Sequence, residues 1–303
     1  MAHYQRRNAS ARAPVPAVHV APADSASFHA HAHLIGPWFR FRHVHQFKFF
    51  VVFQQQSFHL NYSIEMAVSL KDQAVLIVGA SSGIGRATAV LFASKGARVM
   101  ASARREDRLT QLKQEHSSIE VFAADASDPE QMERLAAHAR EKLGRIDILV
   151  FATGTNTPDR SMQRLRVDIW DHMIHTNLNS AYYITRAVLP AMREAGAGHL
   201  IYVSSISGTT PDVSGAAYQA GKRGLLGLAH AIRVEEKENG IRTCVVNPGL
   251  VESEILEKRP VKPAPELIAK ALQPEDVAEI IVSVAELPPR ATVAELEIVP
   301  TKI

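Results

Sequence analysis

The sequence contains a single cysteine, Cys244, among 303 residues. One thiol excludes a framework of disulfide bonds within the chain, and nothing in the composition calls for an oxidising compartment. With 16 glycines in no repeating pattern, the chain is not a collagen-like fibre. Its apolar run at 46–54, QFKFFVVFQ, includes Lys48 and is too short to span a bilayer. A composition of 46% hydrophobic and 21% charged residues predicts a folded globular protein.

Excess basic charge is absent from most of the chain, although the net charge is +3. Residues 1–65 hold six Lys or Arg and two acidic residues, Asp24 and Glu65, and carry +4 by themselves. The remaining segment, 66–303, holds 28 basic and 29 acidic residues. Because that segment is nearly neutral, the overall basicity gives no reason to predict nucleic-acid binding.

The segment 1–65 also differs in composition, since it holds eight of the 14 histidines and eight of the 11 phenylalanines. It shows no sustained helical or strand periodicity. We predict that it is an extension without packed structure, or that the true start is Met66. Its histidine clusters at 29–33 and 43–45 lack a supporting fold, so no metal site is predicted there. The segment lacks the apolar core of a secretory signal, so a cytoplasmic protein is expected. A mitochondrial presequence is the less favoured alternative.

From Met66 onward, short apolar runs alternate with longer amphipathic segments. The runs lie at 74–79, 97–103, 119–124, 146–152, 199–205, 241–247 and 295–300. The amphipathic segments include 86–95, 129–143, 168–193 and 216–238. Continuous apolar runs are typical of strands covered on both faces, as in parallel sheets. The pattern predicts one α/β domain, 66–303, with a doubly wound parallel sheet of about seven strands and helices on both faces.

The first run ends in the glycine-rich string VGASSGIGRA, residues 78–87. Gly79, Gly83 and Gly85 allow a tight turn, close approach of the backbone to a pyrophosphate, and close packing of helix on strand. Ser81 and Ser82 add hydroxyl donors, and the N–H groups from Ile84 onward face the phosphates with the helix dipole. A glycine triplet alone also occurs in structural turns, but its place between a strand and a helix predicts a dinucleotide site.

Arg104 and Arg105 follow the end of the second run. In a dinucleotide site, an acidic residue at this position would bind the 2′-hydroxyl group of the ribose. Guanidinium groups pair instead with a 2′-phosphate, so the sequence predicts that NADP(H) is preferred over NAD(H). The alternative is that both arginines are surface charges at the start of a helix. Basic residues are unfavourable there because of the helix dipole, which favours the functional interpretation.

Tyr218 and Lys222 lie four residues apart at the start of a long predicted helix. Their side chains therefore share one face, and a neighbouring cation favours the phenolate and lowers the tyrosine pKa. A YxxxK pair alone is common on solvated helix faces. Ser205, however, ends the run at 199–205, where ligands bind in such sheets, and Asn177 lies within the preceding long helix.

These motifs, in this order and spacing, resemble the short-chain dehydrogenase/reductase family in its compact single-domain branch. The resemblance covers 66–303 and none of 1–65, and it implies a Rossmann-type catalytic domain that binds NADP(H). It implies that Tyr218 is the general acid or base, while Lys222 binds the nicotinamide ribose and lowers the tyrosine pKa. It further implies that Ser205 bonds the substrate oxygen and that Asn177 holds a water.

The resemblance also implies cofactor contacts from the ends of four strands. Asp125 and Ala126 would touch the adenine, Ala152 and Gly154 the ribose, and Pro248, Gly249, Val251 and Ser253 would flank the nicotinamide. The chain departs from the family in three places: Val78 replaces Thr, 151–154 reads FATG instead of NNAG, and Gly221 replaces Ser.

The sequence therefore predicts an NADP(H)-dependent oxidoreductase that interconverts a carbonyl and a secondary alcohol by hydride transfer. The alternative is a non-catalytic NADP(H)-binding sensor, which is less favoured because all four catalytic positions are present. No metal is expected, since His172 and His175 lack a third ligand. The expected partner is a small-molecule substrate, and binding to nucleic acid or to a membrane is not expected. The segments 154–165 and 250–276 are predicted to cover the substrate without revealing its identity.

The two long helices and the last strand resemble the surfaces through which family members assemble. A homo-oligomer, dimer or tetramer, is therefore expected.

Overall fold

The computed structural model describes residues 68–303. The segment 1–65 lies outside the described residues. The predictions of an extension without packed structure, of a start at Met66 and of no metal site at the histidine clusters fall on that segment. Among residues 68–303, no helix combines the length and apolar character that crossing a membrane requires.

Within this part of the chain, seven strands form one parallel sheet in the order β3-β2-β1-β4-β5-β6-β7. The strands are β1 Ala74–Val78, β2 Arg98–Ala103, β3 Ile119–Ala123, β4 Ile148–Phe151, β5 Gly198–Val203, β6 Ile241–Pro248 and β7 Glu295–Ile298. Each predicted apolar run coincides with one of these strands, which confirms the doubly wound α/β fold.

In residues 68–303, eight α-helices connect and cover the strands. They are α1 Gly83–Ser94, α2 Glu106–Glu115, α3 Pro129–Leu143, α4 Val167–Ile174, α5 Ser180–Ala195, α6 Ala216–Glu235, α7 Pro265–Ile268 and α8 Pro274–Ala285. The segment predicted as one helix over 168–193 is α4 followed by α5, joined through a π-helical turn at His175–Asn179. This turn carries one of the predicted catalytic residues, Asn177.

Strand β1 shows why the apolar runs are continuous. All five of its residues are buried, and they alternate between two hydrophobic clusters on opposite faces of the sheet. Val75 and Ile77 join the cluster of Phe92 from α1. Leu76 joins the opposite cluster, which includes Leu135 from α3. Burying one leucine-sized side chain contributes roughly 1.5–3 kcal/mol, so a strand between two helical layers needs apolar residues at every position.

The strand order reverses between β1 and β4, which are neighbours in the sheet. In doubly wound sheets such a reversal opens a crevice at the carboxyl ends of the strands. The Ala152 N–H donates to the Val78 carbonyl at 2.8 Å, which brings the ends of β4 and β1 together at this point. The glycine loop and the FATG segment therefore share the edge of one crevice.

Candidate active site

Two of the three glycines in the glycine loop are packed too tightly to be replaced by larger residues. Gly79 has φ of +98°, and a Cβ there would lie 2.7 Å from the Thr153 nitrogen. A Cβ at Gly85 would lie 2.3 Å from the Gly79 carbonyl oxygen, so α1 begins directly against the end of β1. Gly83, by contrast, faces open space apart from the Ser253 Cβ at 3.5 Å. The start of α1 has no acidic residue in its first turn, and its free N–H groups can receive an anion.

Arg105 lies over this loop. Its Nη2 atom donates to the hydroxyl groups of Ser82 and Ser81 at 2.7 and 2.9 Å, and its Nη1 atom donates to Glu254 Oε2 at 2.7 Å. Arg104 Nη1 is 3.9 Å from Asp125 Oδ2. Arg105 therefore lies beside the start of α1, whereas Arg104 lies beside Asp125, which follows β3.

Glu254 is a residue of the cleft that the sequence patterns did not indicate. It opens a 3-10 turn, Glu254–Lys258, in the segment predicted to cover the substrate. Hydrogen bonding from Arg105 holds the pKa of the Glu254 carboxyl below its usual value, so the side chain is an anion. It is 149 residues away from Arg105 in sequence, and no spacing pattern links two such positions. In this structure a carboxylate thus occupies the anion position formed by Arg105 and Ser82.

The predicted catalytic residues come from three separate elements. Tyr218 and Lys222 lie on α6, Ser205 follows β5, and Asn177 belongs to the π-helical turn. Tyr218, Lys222 and Ser205 line one cleft of about 760 Å³ together with the glycine loop. That volume is typical of ligand sites. Asn177 is fully buried behind the cleft.

Lys222 is held by backbone rather than by an acid. Its Nζ donates to the Val203 carbonyl at 3.0 Å and lies 5.9 Å from the centre of the Tyr218 ring. A Cβ at Gly154 would lie 3.1 Å from Nζ and 3.4 Å from Asn177 Oδ1, so both groups border the Gly154 backbone. Burial lowers the pKa of Lys222 to about 8, which leaves the amine largely protonated at neutral pH.

Asn177 fixes the segment after β4. Its Oδ1 accepts from the Thr155 N–H at 2.8 Å, and its Nδ2 donates to the Thr155 carbonyl at 3.0 Å. A Cβ at Gly221 would lie 2.9 Å from the Asn177 Cβ, so the glycine lets α6 approach the π-helical turn closely. Gly221, where the family usually has Ser, is thus a position at which α6 packs closely on Asn177, next to Lys222 in sequence.

Ser205 is the first member of a hydrogen-bonded group at the cleft wall. Its hydroxyl donates to Ser207 Oγ at 3.2 Å, and Ser207 Oγ donates to Asp212 Oδ2 at 2.6 Å. Ser214 donates to the same carboxylate through Oγ at 3.0 Å and through its N–H at 2.8 Å. Sequence reasoning missed Ser207, Asp212 and Ser214, because short polar loops carry no spacing signal.

The acidity of Tyr218 differs from the expectation based on Lys222. Burial is the largest effect and raises the pKa of Tyr218, whereas the Ser205 hydroxyl lowers it. Among charges, Asp212 raises this pKa, while Arg259 and Arg160 lower it. The protonated phenol is therefore the resting form at neutral pH in this structure.

The other residues predicted to contact a cofactor lie on the same cleft. They are Asp125, Ala126, Ala152, Gly154, Pro248, Gly249, Val251 and Ser253. His172 and His175 lie on α4 and on the π-helical turn. In residues 68–303, no group of three or more His, Cys, Asp or Glu side chains is arranged to bind a metal ion.

Comparison with known proteins places this architecture among oxidoreductases. Residues 73–263 match the family model described as short chain dehydrogenase. An uncharacterised oxidoreductase of Staphylococcus saprophyticus is 33% identical over 241 residues, which cover 77% of this chain and 98% of that protein.

Solved structures give the same result. The closed form of a serine dehydrogenase complexed with NADP+ is 31% identical, with a TM-score of 0.69 over 74% of this chain and 93% of that one. A metagenomic short-chain oxidoreductase in complex with NADP is 30% identical, with a TM-score of 0.67 over 78% of this chain and 100% of that one.

Proposed function

The chain belongs to the short-chain dehydrogenase/reductase family and is an NAD(P)-dependent oxidoreductase, and from this premise we propose its reaction and residue roles. We propose that it interconverts a carbonyl and a secondary alcohol with NADP(H), using Tyr218 as the acid or base. One observation carries the proposal: the Tyr218 and Ser205 hydroxyl groups share a cleft with the glycine loop and Lys222. A non-catalytic sensor has no observation in its favour and is an outcome of the test below.

The residues present fit a nicotinamide dinucleotide. Gly83 leaves open space at the start of α1, where N–H groups can bind a pyrophosphate. Arg105, Ser81 and Ser82 form a donor cluster suited to a 2′-phosphate, and Arg104 adds a second cation beside it. We propose that this cluster makes NADP(H) the preferred cofactor, because β2 ends without an acid. The other residues predicted to contact the cofactor line the same cleft and complete the proposed cofactor site.

When bound, the nicotinamide supplies or accepts the hydride. The protein residues then handle the proton. In reduction, Tyr218 donates its phenolic proton to the carbonyl oxygen, and Ser205 positions that oxygen through a hydrogen bond. In oxidation, the carbinol carbon loses a hydride, and the hydroxyl proton passes to the Tyr218 phenolate. Lys222, whose Nζ lies 5.9 Å from the centre of the Tyr218 ring, would bind the nicotinamide ribose, and Asn177 holds the Thr155 backbone.

Replacing Tyr218 with Phe tests this proposal. We expect kcat to fall by about 10²- to 10⁴-fold or more, since the acid–base group is lost while the ring still fills its site. NADPH binding, measured by fluorescence titration, is expected to change little. Tyr183→Phe is the control, because Tyr183 lies on α5 and does not line the cleft.

Unchanged turnover of aldehydes or ketones by Tyr218→Phe would remove Tyr218 from its proposed role. A wild-type chain that binds NADPH but reduces no member of an aldehyde, ketone, 3-oxoacyl thioester and quinone panel would favour the sensor.

We also propose that the substrate is a small molecule and that the enzyme is a cytoplasmic homo-oligomer. Tyr182 on α5 and Val234 on α6 are large apolar side chains exposed at the surface, as expected of helices that meet a second copy. Cys244 is buried in β6, and burial raises its pKa to about 12, so the thiol is inert packing material. Light scattering tests the assembly, and a monomeric mass would contradict it.

A further inference from the structure

Two arginines enter the cleft on the substrate side of Tyr218. Arg160 comes from the segment after β4, and Arg259 follows the 3-10 turn Glu254–Lys258. They line the cleft together with Tyr218 and Asp212. Because they come from the two segments that enclose the cleft, they approach its contents from two sides.

Arg160 is fixed by its surroundings. Its Nη2 donates to the Lys258 carbonyl at 3.0 Å, and its Nε donates to the Thr157 carbonyl at 3.2 Å. A Cβ at Gly215 would lie 2.6 Å from the Arg160 Cβ, so the start of α6 packs directly against this side chain. Bonding to the carbonyl of Lys258 also places Arg160 next to the residue that precedes Arg259. The two cations are thus held as neighbours by backbone contacts.

Neither guanidinium forms an ion pair within residues 68–303. In the described part of the chain, no carboxylate oxygen lies within ion-pair distance of Arg160 or Arg259, and both residues are half-buried. Burial, the largest effect, and the charge of Arg259 lower the pKa of Arg160, whereas the charge of Asp212 raises it. Asp212 is the acid on this side of the cleft, but it already accepts hydrogen bonds from Ser207 and Ser214. Two like charges in a partly desolvated cleft repel each other until an anion binds between them.

We propose that Arg160 and Arg259 bind a carboxylate of the substrate, so that the enzyme acts on hydroxy acids and the corresponding oxo acids. Guanidinium groups offer paired N–H donors that match the two oxygens of a carboxylate. The carbon to be oxidised then lies between this anion site and the nicotinamide, with its oxygen at Tyr218 and Ser205. This inference rests on the proposed function, because it assigns the substrate class of the same cleft.

The test compares acids with their neutral esters. Lactate, 3-hydroxybutanoate and 4-hydroxypentanoate, each beside its methyl ester, are titrated into the full chain saturated with NADP+. Calorimetry measures binding, and NADPH formation measures turnover. Three acids of increasing length sample the distance between the hydroxyl group and the carboxylate.

For the wild type we expect at least one acid to bind about 10- to 100-fold more tightly than its ester, the range typical of charge-assisted hydrogen bonds. Arg259→Gln is expected to remove this preference and to raise KM for the acid by a similar factor, without changing the ester. Lys262→Gln is the matched control, because Lys262 lies in the same segment and pairs with Glu257. Arg160→Lys, which keeps the charge but loses the paired donors, is expected to fall between wild type and Arg259→Gln.

Two results would overturn the inference. One is an ester bound as tightly as its acid for every pair. The other is an Arg259→Gln enzyme that loses NADP+ affinity while keeping its preference for the acid, which would assign Arg259 to the cofactor. If the neutral esters are oxidised in a Tyr218-dependent manner without preference for acids, the proposed function stands and only the carboxylate site fails. Failure of the proposed function shows separately, as turnover that does not depend on Tyr218.

Discussion

The contact between Arg105 and Glu254 makes a quantitative prediction about cofactor affinity. Glu254 occupies the anion position that we assign to the 2′-phosphate, so NADPH has to displace its carboxylate before binding. The two side chains are 42% and 51% exposed, and ion pairs of this kind contribute about 0.2–1 kcal/mol. Removing the charge in Glu254→Gln also removes repulsion between the carboxylate and the incoming phosphate. We therefore expect NADPH to bind about 2- to 5-fold more tightly, equivalent to roughly 0.4–1 kcal/mol.

NADH provides the internal comparison, because it has no 2′-phosphate to compete with Glu254. Fluorescence titrations of both cofactors at one ionic strength should show tighter NADPH binding and an unchanged Kd for NADH. Glu257→Gln is the control, since Glu257 lies in the same 3-10 turn and pairs with Lys262 instead. An NADPH affinity that is unchanged or weaker in Glu254→Gln would refute the competition. An equal gain for NADH would show a general effect on the covering segment.

Two further predictions concern packing and pH. Gly221→Ser is expected to destabilise the protein by about 1–3 kcal/mol and to lower kcat, because the new Cβ would lie 2.9 Å from the Asn177 Cβ. Gly227→Ser is the control, because Gly227 lies on the same helix and faces open space, so stability and kcat should not change. Equal melting temperatures for the two variants would contradict the predicted clash. Burial lowers the pKa of His199 to about 3, well below the value of 6.5 for a free histidine, and both ring nitrogens are buried without hydrogen bonds. Since only the unfolded chain takes up this proton between about pH 6.5 and 3, the wild type should lose up to about 1.4 kcal/mol of stability per pH unit on acidification. Denaturant titrations should show a shallower loss in His199→Leu, whereas the exposed His172→Leu should follow the wild type; parallel slopes for all three would contradict the assignment.

Sequence patterns predicted the fold because the signal lies within each short segment. A strand such as β1, with neighbours on both faces, requires an unbroken apolar run, and such a run can be read without knowing which helices cover it. The glycine loop was equally readable, since the tight turn and the close approach of α1 each demand glycine at a fixed position. These features are local, and the structure reproduces them.

Features that depend on tertiary contacts could not be predicted in this way. The pKa of Tyr218 depends on its burial and on Asp212, Arg259 and Arg160, which come from three separate segments. The contact of Arg105 with Glu254 joins residues 149 positions apart. The sequence around either residue does not indicate the other as its partner. The extension at 1–65 stays a prediction, since it lies outside the described residues.

The π-helical turn at His175–Asn179 has a consequence for how one long helix serves two different neighbours. Such a turn holds one more residue than an α-helical turn, and it therefore rotates everything that follows by about 100°. Before it, α4 directs Met173 toward Ala217 and Tyr218. After it, α5 directs Ile184 and Val188 into the cluster beneath the sheet. The extra residue thus turns the face that packs on Tyr218 away from the face that packs on the sheet, so that one continuous helical run contacts both.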